Sequence, residues 1–517
     1  MACVTATVSI WIVVVGLVVL GGKLLNSIWF RPKKLEKLLR QQGLAGNSYR
    51  ILYGDLKERA AMREQANSKP MNFSNDIAPR VIPSIHHTIQ KYGKNSFMWL
   101  GPIPRVNIMD PEQLKTVFAL FNDIQKPSMN PLVKLFAGGL VNHEGAKWAK
   151  HRKIINPAFH LEKLKGMVPA FYHSCYDMVS KWESMVSEEG SCDLDVMPYL
   201  QQMAADVISR TAFGSSYEKG KKIFKLQTEL ADLVIQTIMR IYIPGWRFLP
   251  TKSNKKMKEI SKEISSLILG IINEREKSMK AGEAMNSDLL GILMESNLNE
   301  IGQHGNNKDI GMSIEDVIDE CKIFYIAGQE TTATLLIWTM ILLSSYSEWQ
   351  DRARAEVFEI FGNKNPDYDG LNRLKVVTMI FNEVLRLYTP VGMLGRHVKK
   401  ETKLGNLTVP AGVFLGLPVL LIHRDPELWG EDADEFKPER FSEGVSKATK
   451  NPAAFIPFGW GPRICIGLNF AMIEAKMALS IILQRFSFEL SPSYTHAPTA
   501  AITTQPQHGA HIMLHKL

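Results

Sequence analysis

The chain has 517 residues, 45% of them apolar, and 61 basic against 52 acidic side chains give it a formal net charge of +9. This composition excludes a disordered or collagen-like chain and allows one large core. Its five cysteines are too sparse for a disulfide scaffold, are odd in number and lack a C-x-x-C spacing, which fits a reducing compartment. The positive charge suits nucleic acid, a membrane surface or an acidic protein equally, so its distribution has to decide.

The first 22 residues, MACVTATVSIWIVVVGLVVLGG, carry no charged side chain, and about 20 apolar residues suffice to cross a hydrocarbon core. Residues 1–22 therefore read as a transmembrane anchor. A cleaved signal peptide fits less well, for want of a basic leading segment and a small-residue cleavage site. Lys23, Arg31, Lys33, Lys34, Lys37 and Arg40 all follow the apolar run, which by the positive-inside rule leaves the remainder on the cytoplasmic side. Residues 23–50 read as a basic juxtamembrane linker. Residues 51–517 contain no Pro/Gly/Ser-rich break and read as one domain. SFMWL and RVNIM around GPIP predict a hairpin, and NLTV and VFLGLPV around Pro410 and Gly412 predict a second. Helical periodicity predicts helices over 147–155, 194–213, 223–243, 255–280, 313–346 and 374–388. The fold class is mainly α with small β-sheets.

The helix expected from Ser313 opens on a capping box with Asp316, and its later part, ATLLIWTMILL, is apolar on every side. A helix apolar all round is buried. Yet the polar run GQETT, residues 328–332, falls in its middle, and buried polar groups cost free energy unless they are paired. A cysteine raises a similar question. Cys465 lies among Gly459, Gly461 and Gly467 just before another helical pattern, where a helix N-terminus and close backbone N–H groups favour a thiolate. An inert buried thiol remains the alternative for an isolated cysteine.

Cys465 is not isolated, since Phe458-x-x-Gly461-x-Arg463-x-Cys465-x-Gly467 resembles the haem-binding loop of the cytochromes P450. Other parts of that family's pattern occur in order: Glu383-x-x-Arg386, then Pro438-Glu439-Arg440-Phe441 about fifty residues later. The resemblance implies the cytochrome P450 fold, haem b (iron protoporphyrin IX) as cofactor and Cys465 as its axial iron ligand. It also implies a structural triad of Glu383, Arg386 and Arg440. Trp148 and Arg152, four apart and so on one helical face, are implied as propionate ligands together with Arg396 and Arg463. Ala327-Gly328-x-Glu330-Thr331-Thr332 resembles the family's oxygen-activation motif, with Gly328 leaving room beside the iron and Glu330 and Thr331 relaying protons. Lys147, Lys150 and Lys153 project away from the Trp148 face, either as ordinary solvated lysines or as a docking face for an acidic electron donor.

Over essentially its whole length the chain is similar to the plant family 72 group, whose members oxidise terpenoids such as triterpenoids, secoiridoids and gibberellins. The implied activity is a monooxygenase of the endoplasmic reticulum membrane. It would act as a monomer on a hydrophobic small molecule with O2 and electrons from NADPH–cytochrome P450 reductase, and without nucleic acid. A P450-fold isomerase or lyase is the alternative, disfavoured by the intact Glu330-Thr331 pair. Substrate contacts are expected at 135–141, 391–394 and 502–504, and residues 241–249 are expected to dip into the membrane beside a substrate entrance. His508, His511 and His515 do not share one strand face and are not expected to bind metal.

Overall fold

In the computed structural model residues 2–127, 131–186, 190–215, 217–238, 246–282, 288–303 and 310–517 are described. The first helix, Ala2–Leu25, has 24 residues, which at 1.5 Å per residue is about 36 Å and exceeds the roughly 30 Å of a hydrocarbon core. Trp11, Ile12, Leu17, Val18 and Leu20 on it pack against nothing in the chain. A π-helical segment, Asn26–Phe30, carries the chain into Arg31–Gln41, an amphipathic helix with Pro32, Leu35 and Leu39 buried. The basic stretch thus docks onto the folded body. Tyr49 fixes the approach by donating its hydroxyl to the Ile28 carbonyl at 2.6 Å.

The body is built around a central helix, Ile314–Ser345. Ser313 caps it and Asp316 answers in a full capping box, as the sequence predicts. Its second half is enclosed: Leu336, Ile337, Trp338, Met340, Ile341, Leu342 and Leu343 have no exposed surface. Each such burial stabilises by roughly 1.5–3 kcal/mol, so this helix is the main organiser of the core. It packs against Met197–Phe213, Leu468–Arg485 and Val376–Leu387. Gly328 makes the first of these contacts possible, because a Cβ there would stand 2.7 Å from the Ile208 side chain. The space this glycine clears is for the neighbouring helix, whereas the sequence reading reserved it for iron.

A six-stranded sheet flanks the helices, in the order Ala45–Gly46, Ser96–Leu100, Ile103–Asn107, Phe414–Leu417, Leu394–Val398, Ile124–Gln125. It covers a second, smaller core that includes Leu39, Phe97, Trp99, Val106 and Leu415. The first predicted hairpin forms, with Phe97 opposite Val106. The second does not. Leu407–Val409 pairs with Thr402–Leu404 across Gly405-Asn406, while Phe414–Leu417 joins the large sheet beside Leu394–Val398. Gly405 at φ +59° supplies the left-handed turn such a tight hairpin requires. The expected helix over 194–213 is also divided. Ser191–Asp195 is a strand paired with His511–Lys516, and the helix starts only at Met197. His511 and His515 face Asp193 and Glu489 respectively.

The fold's most buried ion pair fixes the segment that leads to the cysteine. Glu383 and Arg386, one turn apart on Val376–Leu387, form a bidentate pair at 2.7 and 2.7 Å with no exposed surface. Arg386 also donates to the carbonyls of His423 and Glu435 at 2.8 and 3.0 Å, and Glu383 accepts the Lys437 N–H at 2.9 Å. Arg440 comes within 3.4 Å of Glu383 as an ion pair without hydrogen-bond alignment. Its aligned bond goes to Asp432 at 2.7 Å. The triad read from the sequence is assembled, with Asp432 as a fourth member. Glu383→Ala leaves Arg386 buried without its anion, and the expected loss is about 3–5 kcal/mol. Thermal unfolding of the detergent-solubilised chain measures it, and a change under 1 kcal/mol would contradict this account.

Candidate active site

Cys465 lies on a loop between the 3-10 turn Gly461–Arg463 and the helix Leu468–Arg485. Gly459 at φ +76° and Gly461 at φ +68° turn the chain back, so that the Cys465 N–H donates to the Phe458 carbonyl at 2.9 Å. Phe458 packs, partly buried, against the helical core, and Gly461 lies against the Phe118 backbone. The loop is therefore rigid at both ends of the motif. Cys465 is accessible at its surface, yet enough protein surrounds it that burial pushes the thiol up. The Gly467 N–H and the Arg152 and Lys126 charges act in the opposite sense and favour thiolate.

The cations expected around the loop converge. Trp148 and Arg152 share a face of Gly145–Ile155, where Arg152 donates to the Ile464 carbonyl at 3.0 Å and the Arg463 guanidinium lies 4.6 Å from the Trp148 ring centre. Arg463 reaches the His143 carbonyl at 2.7 Å and Glu144 at 2.5 Å. Arg396, on Leu394–Val398, is buried with its guanidinium 5.5 Å from the Phe118 ring centre. Burial and then Arg463 lower its pKa to about 10. Lys126 is lowered to about 7 by burial and then by Arg463 and Arg396. Three cations thus crowd together with Glu144 as the anion they share. Nε and Nη1 of Arg463 are buried without a partner, and buried guanidinium groups left so are costly. A pair of carboxylates would satisfy this set. The donor chemistry therefore fits a haem, whose two propionates need such partners and whose iron needs a thiolate.

On the central helix, Ala327 is exposed and Thr331, one turn on, is half-buried, whereas Thr332 and everything to Leu343 is buried. The Thr331 hydroxyl donates to the Ala327 carbonyl at 2.8 Å. Glu330 turns from it toward the C-terminal hairpin, Pro498–Ala500 paired with Thr504–Pro506, where it accepts from Gln505 at 2.6 Å and from Thr503 at 3.3 Å. Burial raises the Glu330 carboxyl, and those two bonds pull it down. The hairpin is held to the central helix by Trp338, which donates to the Thr504 carbonyl at 2.7 Å, and by Thr334 and Thr503, 3.0 Å apart. A cavity lies beside it, lined by Phe136, Gln227, Ile326, Glu330, Ile502 and Gln505. Of the substrate-contact segments read from the sequence, 135–141 and 502–504 each place a residue on this wall. Of 241–249, residues 241–245 lie outside the described residues, and Trp246, Phe248 and Leu249 are exposed. Lys147, Lys150 and Lys153 are not free: they bond Asp316, the Gly311 carbonyl and Glu300 at 2.6, 2.8 and 2.7 Å. Gln505, Lys126 and Glu144 escaped the sequence reading because no motif marks them and each reaches the site from a distant segment.

A long core helix with a polar turn and a cysteine loop set among cations are the two parts that a haem-thiolate oxygenase requires. The family profile for cytochrome P450 matches residues 80–512. Cytochrome P450 72A397 of Kalopanax septemlobus is 61% identical across 96% of this chain and 95% of its own. Cytochrome P450 CYP72A219 of Panax ginseng is 58% identical across 100% of both chains. Among solved structures the retinoic acid-bound cyanobacterial CYP120A1 superposes with a TM-score of 0.72 over 84% of this chain and 94% of its own, at 23% identity, a likeness of fold. The chain belongs to the cytochrome P450 family, in its plant 72A group. It is a monooxygenase with haem as its cofactor.

Gln505 is expected to set the Glu330 titration. Gln505→Leu removes a hydrogen bond to the charged form, so the already raised pKa rises further, and, with the protonated carboxyl as the donor, the alkaline limb of the pH profile of coupled turnover moves to higher pH. A shift to lower pH would contradict the assignment.

Proposed function

We propose that this monooxygenase hydroxylates or further oxidises a hydrophobic terpenoid-like molecule, with electrons from NADPH–cytochrome P450 reductase, while anchored by its first helix in the endoplasmic reticulum membrane. The observation that carries the reading is the pairing of two half-sites: a cysteine amid under-neutralised cations, and a turn of the core helix that presents a hydroxyl beside a raised carboxyl. The terpenoid class rests on the likeness to the plant 72A group, and the apolar side chains Phe136, Ile326 and Ile502 on the cavity wall suit such a substrate. The uncharged first helix with its basic flank supports a cytoplasmic catalytic body.

In this reading Cys465 would ligate the haem iron, and Arg463, Arg396, Arg152 and the Trp148 indole would hold the propionates. Phe458 and Gly461 shape the loop that presents the sulfur. When bound, the haem activates dioxygen and transfers one oxygen atom, helped by electron donation from the thiolate. The chain's own task is proton handling. Burial raises the Glu330 carboxyl and so favours its protonated form, and the Thr331 hydroxyl, whose present acceptor is a helix carbonyl, can turn to pass a proton on. The apolar half of the helix beyond Thr332 keeps bulk water away from this pair.

Two variants test the proposal. Cys465→Ala should abolish the long-wavelength carbonyl band that marks thiolate ligation of the reduced protein, and its persistence would overturn the ligand assignment. Thr331→Ala should retain haem and lower product per NADPH by on the order of tenfold, with hydrogen peroxide rising to match. The loss is smaller than the ~10²–10⁴ of a sole proton donor because water can replace the hydroxyl. Unchanged coupling would reject the relay. Turnover without oxygen consumption would instead identify an isomerase.

A further inference from the structure

A second buried carboxylate sits on the central helix, ten residues before Glu330, and the oxygen-activation motif does not use it. Glu320 has no exposed surface, nor does His151 of the Trp148 helix, and the two meet at 2.6 Å between Oε1 and Nδ1. The other oxygen of Glu320 accepts the Leu140 N–H at 2.9 Å. Gly138 and Gly139 permit this approach: a Cβ on Gly139 would stand 2.7 Å from Glu320 Oε2, and one on Gly138 would meet Asp319. From Gly139 the chain turns, its carbonyl accepting the N–H groups of Asn142 and His143 at 3.0 and 3.1 Å. The His143 ring packs edge-on against His151, centres 4.4 Å apart.

This turn ends at the two acceptors of Arg463, the His143 carbonyl and the Glu144 carboxylate. One buried carboxylate thus ties together both supports of the propionate-binding set: the helix bearing Trp148 and Arg152, and the loop that aims Arg463. The cluster of His143, His151 and Glu320 could suggest a metal centre. The 2.6 Å separation argues otherwise, because two tetrahedral ligands at 2.0–2.1 Å from one zinc stand about 3.3 Å apart, whereas 2.6 Å is a charge-assisted hydrogen bond. A buried, charge-assisted pair of this kind fixes geometry.

We infer that Glu320 and His151 are positioning residues for haem binding, a clamp that acts through the 139–144 turn on Arg463. The inference rests on the reading of Arg463 as a propionate ligand, and the test separates the two. Haem loss from the full-length, detergent-solubilised holoenzyme to excess apomyoglobin is compared for Glu320→Ala, Arg463→Ala and the double variant, with the midpoint potential of each.

Each single variant should lose haem at least tenfold faster and shift the potential to more negative values, since a propionate would lose its compensating charge. The double variant should lose haem no faster than Arg463→Ala within a factor of two. Glu320→Gln, which keeps an acceptor for the Leu140 N–H and a partner for His151, should stay within threefold of the parent. Multiplying effects in the double variant, or a Glu320→Ala potential equal to the parent's, would overturn the clamp while leaving Arg463 as a ligand. If Arg463→Ala itself retains haem normally, the propionate reading fails and the clamp with it. Should Glu320→Ala not accumulate, His151→Leu, which leaves the Leu140 bond in place, takes its position in the same cycle under the same criteria.

Discussion

A helix of 32 residues whose second half is apolar on every side has to be surrounded, and the rest of the architecture answers that demand. Met197–Phe213, Leu468–Arg485 and Val376–Leu387 cover three flanks, and the C-terminal hairpin is fastened on by Trp338 and Thr334. Enclosure makes the exception meaningful. The turn from Ala327 to Thr331 is a partly open stretch in the middle of the helix, and it carries the hydroxyl and the carboxyl. Burial that stabilises the fold also raises the proton affinity of the Glu330 carboxyl.

The cysteine side works by charge imbalance. Burial lowers the proton affinity of Arg463, Arg396 and Lys126, Arg463 lowers that of the other two further, and Glu144 alone does not offset this. A fold would gain stability by replacing one of these cations with an apolar side chain unless an anion completes the set. The unpartnered nitrogens of Arg463 leave room for a further anion in this set. The Glu383–Arg386 pair shows the contrast: with no exposed surface, it is satisfied by carbonyls and an N–H group of the 423–437 segment, and so it holds structure.

What the sequence made legible divides along the same line. The long helices were legible because periodicity and caps are local, as Ser313 and Asp316 show. The cysteine loop and the Glu383-x-x-Arg386 turn were legible because their spacing is itself the geometry. Strand partners were not: NLTV could have paired forward or backward, and the Gly405-Asn406 turn, a hairpin signal in its own right, decides for Thr402–Leu404. The strand Ser191–Asp195 was missed, and its last two residues were read as the start of a helix, because its partner, His511–Lys516, lies some 300 residues on. Asp432, Gln505 and Glu320 were hidden for the same reason. Each is an ordinary polar residue until folding sets it beside Arg440, Glu330 or His151.

Glu320 and Glu330 show how one element serves two ends of a site. Ten residues along a helix advance about 15 Å and, at 100° each, bring the side chains about 80° apart around the axis. The first carboxylate therefore meets the Trp148 helix and the 139–144 turn, while the second meets the C-terminal hairpin beside the cavity. Neither can take the other's partners. Because both hang from one enclosed helix, the geometry that holds the cations near Cys465 and the geometry that sets the Glu330–Thr331 turn share a single frame. A displacement of that helix would disturb both together, which is a physical reason for its second half to be packed so completely.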